Sequence, residues 1–123
     1  MGNRRKFIRF PVRLNARYSE ENSDEWNQCS VIDISREGMG VIVYLKEKIS
    51  LGSILKLVIN VQGKKAAIFA TGTMIWIKEL KDNLEFNFIG GIKLITIDPK
   101  RKWILLDYAY EAWRKIREAK TSK

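Results

Sequence analysis

The chain predicts a mostly β fold: six short strands closing into a small barrel, followed by one C-terminal helix. Three observations predict it. Most of the chain alternates apolar and polar side chains with period two, the mark of half-buried strands. Turn signals break that alternation at short, regular spacing, as in small barrels. From Asp98 onward the period changes to that of a helix. A length of 123 residues with 46% hydrophobic content suits one domain with a real core.

Each element has its own signal. Leu14, Ala16 and Tyr18 point one way from a first strand, and Ser19 to Asp24 is a polar, acidic link. Trp26 to Ile34 reads as the second strand and Gly40 to Leu45, rich in Val and Ile, as the third. Leu55, Leu57, Ile59 and Val61 alternate with Lys56, Val58, Asn60 and Gln62 in the cleanest strand pattern of the chain. Gly63, Lys64 and Lys65 turn into a long strand, Ala66 to Glu79. Lys81, Asp82 and Asn83 turn again into Leu84 to Ile97, where Gly90 and Gly91 predict a bulge or sharp bend.

The helix is expected over 98–119. Asp98 supplies an N-cap and Pro99 occupies the first helical position. Trp103, Leu106, Tyr110 and Trp113 recur at helical spacing, flanked by Leu105, Ala109, Ala112 and Ile116. This face packs the helix onto the barrel, and its width also offers a dimer seam or a partner-docking face. The organisation is thus a basic arm over 1–13, a barrel over 14–97 and the helix, in a single domain.

Composition removes several function classes. The chain has no histidine, which excludes imidazole bases, Ser-His-Asp triads and His-ligated metals. One cysteine, Cys29, allows no internal disulfide or thiolate cage and reads as a small buried hydrophobe. Phosphate-binding and dinucleotide glycine loops are missing, so no enzyme is expected. No signal peptide follows the basic start, because Arg9 and Pro11 interrupt Phe7 to Val12. The longest uncharged apolar-rich run, Ala66 to Ile77, is too short for a membrane span, and a cytoplasmic protein is expected.

The charge is uneven. Of a net +9, the first 17 residues carry Arg4, Arg5, Lys6, Arg9, Arg13 and Arg17 with no acid, whereas 18–97 are close to neutral. Such an arginine-rich segment fits a phosphate-bearing partner. Arg5 and Arg9, four apart before the first strand, form two planar forks able to grip phosphate or the edge of guanine. The same residues also read as a solvated basic tail. Asp33, Ser35 and Gly38 form a second constellation: an acceptor, a hydroxyl and a glycine offering positive φ or close backbone approach. Standing alone, this is an ordinary side-chain-stabilised turn.

Taken together, Arg-x-x-x-Arg followed some two dozen residues later by Asp-x-Ser-x-x-Gly resembles the PilZ domain family, bacterial receptors for cyclic di-GMP. Gly40-Val41, the stretch Thr71 to Trp76 and the stretch Phe88 to Leu94 are similar to later strands of that family. The resemblance covers about Arg4 to Ile97, and a terminal helix is common in the family. It implies a six-stranded antiparallel barrel with the helix over one end. It implies that Arg5 and Arg9 grip phosphates and guanine edges, that Asp33 and Ser35 read guanine polar groups, and that Gly38 lets the backbone approach. Arg4 is an added phosphate candidate. Trp76 is a candidate to lie beside a base, although its strand position reads as core. Cyclic di-GMP is thus the expected ligand, with no cofactor or metal. A stand-alone receptor would relay it to a downstream protein through ordering of the arm, a switch of known type.

Two other classes compete. A basic barrel binding single-stranded nucleic acid fits the charge, but the near-neutral middle and the lack of an evident solvent-facing aromatic platform oppose it; the alternating Phe86 and Phe88 are needed for the core. A nucleotide-independent interaction domain is the other, and the intact arginine motif opposes it.

Overall fold

The computed structural model describes residues 8–43, 49–61, 67–79 and 88–121. Six strands appear: β1 (Phe10–Glu20), β2 (Asn27–Ile34), β3 (Gly38–Val43), β4 (Ile54–Ile59), β5 (Ile68–Glu79) and β6 (Phe88–Ile97). They pair antiparallel around a closed barrel in the order β1-β2-β3-β6-β5-β4. The helix, α1 (Pro99–Thr121), ends two residues later than expected. The expected turns at 63–65 and 81–83 lie outside the described residues, as do Leu45, Gln62, Ala66, Leu84 and Phe86.

Period two decides what enters the barrel. Leu14, Ala16 and Tyr18 of β1 and Leu55, Leu57 and Ile59 of β4 are buried, and they meet Val31, Met39, Val41, Met74 and Ile92 in one core. β1 begins at Phe10, four residues before the expected start of the barrel. The reason is tertiary: the Phe10 ring packs edge-on against Tyr110 and Trp113 of α1, with centroids 5.8 and 5.7 Å away. Asp98 caps the helix, accepting the Lys100 backbone N–H at 2.9 Å. Only part of the apolar stripe reaches the core. Leu105, Leu106 and Ala109 are buried against β1 and β2, whereas Trp103, Tyr110 and Ile116 stay exposed. No helix of the described residues is long and apolar enough to cross a membrane.

Four register shifts interrupt the ladders among the described residues, and two of them are single-residue bulges that re-aim a side chain. Between β2 and β3, Val31 faces Val41 and Asp33 faces Gly40, so Ile32 is the extra residue. Without it, Asp33 would follow Val31 into the core; with it, Ile34 turns inward and Asp33 outward. On β5, Met74 faces Ile92 and Trp76 faces Gly91, which makes Ile75 the extra residue. The bulge expected at Gly90-Gly91 therefore belongs to the facing strand. It also corrects the core placement of Trp76, which lies on the outer surface and is 42% exposed.

Cys29 and Tyr18 are both buried in the barrel: burial pushes the Cys29 thiol up to about 12 and raises the Tyr18 hydroxyl, to which Cys29 and Glu20 add. The folded chain therefore holds protons that the unfolded chain releases, first from Cys29 above about pH 8.5. Stability should be full below that pH and fall above it, by up to ~1.4 kcal/mol per unit while Cys29 alone titrates. Thermal unfolding at pH 7, 9 and 11 checks this, and a thiol reagent should label Cys29 only as fast as the barrel opens. A flat profile, or rapid labelling of the native protein, would refute it.

Candidate functional site

The register of the barrel aligns four outward positions in one row. Asp33 of β2 faces Gly40 of β3, Gly40 faces Gly91 of β6, and Gly91 faces Trp76 of β5. Directly opposed residues share a face, so these four form a shelf across the outer wall. Its middle is two buried glycines, over which the end side chains fold: the Asp33 carboxylate over Gly40 and the Trp76 indole over Gly91. Its ends are a carboxylate and an indole.

The carboxylate end is a clasp. Arg9, just before β1, donates through Nη1 to Asp33 Oδ1 at 2.8 Å. The Gly40 N–H donates to the same oxygen at 2.9 Å. The side chains of Arg9 and Asp33 are only 22% and 28% exposed, so this ion pair is better shielded than a surface one. Gly40 makes the position possible: a Cβ there would lie 2.9 and 3.0 Å from the two carboxylate oxygens. At the other end, Trp76 covers Gly91, and a Cβ on Gly91 would collide with the indole nitrogen. Gly40 and Gly91 are the site residues that sequence reasoning missed. Their signal was present in Gly40-Val41 and Gly90-Gly91, but only strand register shows that they adjoin.

Ser35 and Gly38 serve the turn between β2 and β3. Ser35 is buried; its hydroxyl oxygen accepts the backbone N–H groups of Glu37 and Gly38, both at 3.3 Å, and its own N–H donates to the Gly38 carbonyl at 2.9 Å. This is the side-chain-stabilised turn that the residues alone predicted. Gly38 does not have positive φ; among the described residues only Gly52 does. Gly38 lies extended in β3 opposite Lys93, and a Cβ there would collide with the Ile92 carbonyl oxygen. The close backbone approach is thus to β6. Arg4 and Arg5 lie outside the described residues.

One further expectation needs correcting, because the barrel does carry solvent-facing aromatics. Phe69 is 69% exposed, and Trp26 lies near Arg17 and Lys56, with ring-to-cation distances of 5.9 and 5.7 Å. The adjoining link nevertheless holds Glu20, Glu21, Asp24 and Glu25, which oppose a polyanion at that place.

A family model described as PilZ domain matches residues 3–111. Among solved structures, the chain is similar to the PilZ domain with c-di-GMP of YcgR from Escherichia coli, at 15% identity and a TM-score of 0.74, covering 98% of this chain and 100% of that one. It is also similar to the Bacillus subtilis inhibitor of motility, at 19% identity and a TM-score of 0.73, covering 94% and 53%. The K. pneumonia MrkH–c-di-GMP complex is 18% identical with a TM-score of 0.70, covering 92% and 56%. The chain spans about half the length of these last two. At such identities the likeness is one of fold. No curated protein sequence matches the chain.

Proposed function

Since the chain belongs to the PilZ domain family, we propose that it is a receptor for cyclic di-GMP, bound on the glycine shelf. The observation that carries this is the clasp of Arg9 and Asp33 over Gly40. It holds a permanent cation and an acceptor side by side at one end of the shelf. Guanine needs that combination: its O6 and N7 accept from a guanidinium, and its N–H groups donate to a carboxylate. Gly40 and Gly91 let the Asp33 carboxylate and the Trp76 indole lie close against the wall, and the half-exposed indole offers a planar base an aromatic surface. Arg5, with Arg4 before it, supplies further guanidinium to the phosphates. Ser35 acts by holding the turn that follows Asp33. The complexes of YcgR and MrkH with c-di-GMP support the choice of ligand.

The reading places the receptor in the cytoplasm and makes the arm its output to a downstream protein. Phe10 is already packed against Tyr110 and Trp113, so the change on binding is confined to residues before it. Amide signals of residues 2–9 should shift and sharpen with ligand while those of 10–20 hold. Unchanged signals in 2–9 would move the output elsewhere.

Calorimetric titration tests the receptor itself. Cyclic di-GMP should bind where GTP does not, and Arg9→Ala should weaken binding at least tenfold, since a hydrogen bond to a charged group is worth about 1.5–3 kcal/mol. Absence of binding, or binding indifferent to Arg9, would sink the proposal.

A further inference from the structure

Lys93 is the next outward residue after Gly91 along β6, about 7 Å further on, two residues at strand rise. Beyond it the wall opens into a groove of about 780 Å³ between β6, the β2–β3 turn and the start of α1. Arg36, Lys93 and Lys102 line it against a single acid, Glu37, and Trp103 forms part of its helical side. The groove is built on fixed parts. The Leu94 N–H donates to the Glu37 carbonyl at 2.8 Å, tying the turn to β6. Leu106, one turn after Trp103, is buried and fixes the helix. Trp103 itself is 57% exposed, so packing of the barrel does not account for an indole at this place.

We infer that this groove receives the second guanine of the bound dinucleotide, stacked on Trp103, with Lys93 and Lys102 beside its phosphate. The inference rests on the cyclic di-GMP reading above and extends that site beyond the two sequence motifs. The shelf offers one aromatic face, the half-exposed Trp76, whereas the ligand carries two guanines and two negative charges. The groove supplies what the shelf lacks: a second aromatic face and a local excess of cations, continuous with the shelf through Lys93. A base stacked on an aromatic side chain gains about 1–3 kcal/mol irrespective of its hydrogen-bonding edge. Trp103 therefore adds affinity, and Arg9 with Asp33 retains the choice of base.

Titrations of the full chain with cyclic di-GMP separate the possibilities. Trp103→Ala should bind about tenfold more weakly, Trp103→Phe should recover most of the loss, and Lys93→Ala, also exposed, should bind severalfold more weakly. Circular dichroism and melting should be unchanged in all three, because neither side chain is buried. Tryptophan fluorescence should be quenched by ligand in the parent and much less in Trp103→Phe. If the parent binds through Arg9 but Trp103→Ala and Lys93→Ala bind within twofold of it, the groove is not part of the site and the receptor reading stands. If the parent does not bind, the receptor reading fails and this inference falls with it.

Discussion

Gly38→Ala is expected to lower the stability of the domain by about 3 kcal/mol, the upper part of the range for overpacking a close-packed site. The melting temperature should drop by roughly 10 °C. Gly38 lies opposite Lys93 in the ladder joining β3 to β6, and the methyl group of alanine would fall onto the Ile92 carbonyl. That obstacle is main chain, so no rotamer change relieves it. Nor can the two strands simply separate, because β3 is also paired to β2 and β6 to β5 around a closed ring. Movement at this point must be shared by neighbours whose cores meet at Met39 and Ile92. Urea and thermal unfolding of Gly38→Ala against the parent measure the effect. A loss below 1 kcal/mol would show that the ring relaxes there and refute the backbone clash as the reason for this glycine.

The second large effect is on binding. Asp33→Ala should weaken cyclic di-GMP binding by about 100-fold, equivalent to ~2.7 kcal/mol. One substitution removes three things. The guanine loses its acceptor, Arg9 loses the partner that holds it at 2.8 Å, and the Gly40 N–H loses the oxygen it donates to at 2.9 Å. The change in stability should be smaller, because Asp33 is on the outer wall and the core beneath it is untouched. Calorimetry alongside melting distinguishes the two effects. Binding within threefold of the parent would remove Asp33 from the site.

The fold was legible because period two is a backbone property that survives without tertiary information. Leu55, Leu57 and Ile59 went inside as their alternation requires, and Asp98 with Pro99 started the helix where capping chemistry places it. What was not legible came from the two single-residue bulges. Counting from Val31 or from Met74 by twos sends Asp33 and Trp76 inward; Ile32 and Ile75 reverse both, and nothing in those two residues announces it. Phe69, by contrast, obeys plain alternation: its neighbours Ile68 and Ala70 take the inside and its ring the outside. The described motif residues do not all lie together at one place on the wall. Arg9 and Asp33 meet on the surface, whereas Ser35 and Gly38 are absorbed by the turn and by the packing of β3 on β6. Pairing between distant segments decides this, and one chain read in order does not contain it.

The closed ring also limits how another protein can recognise this one. Each of the six described strands has a paired neighbour on both sides over at least part of its length, so none is a full edge strand for a partner to extend. Recognition by main-chain pairing, which tolerates many partner sequences, is closed to the barrel wall. A downstream protein must instead read side chains, on the outer wall, in the loops or along α1. On the proposed receptor reading, that choice is written in individual exposed residues such as Tyr110 and Ile116, and single substitutions there should uncouple signalling from ligand binding.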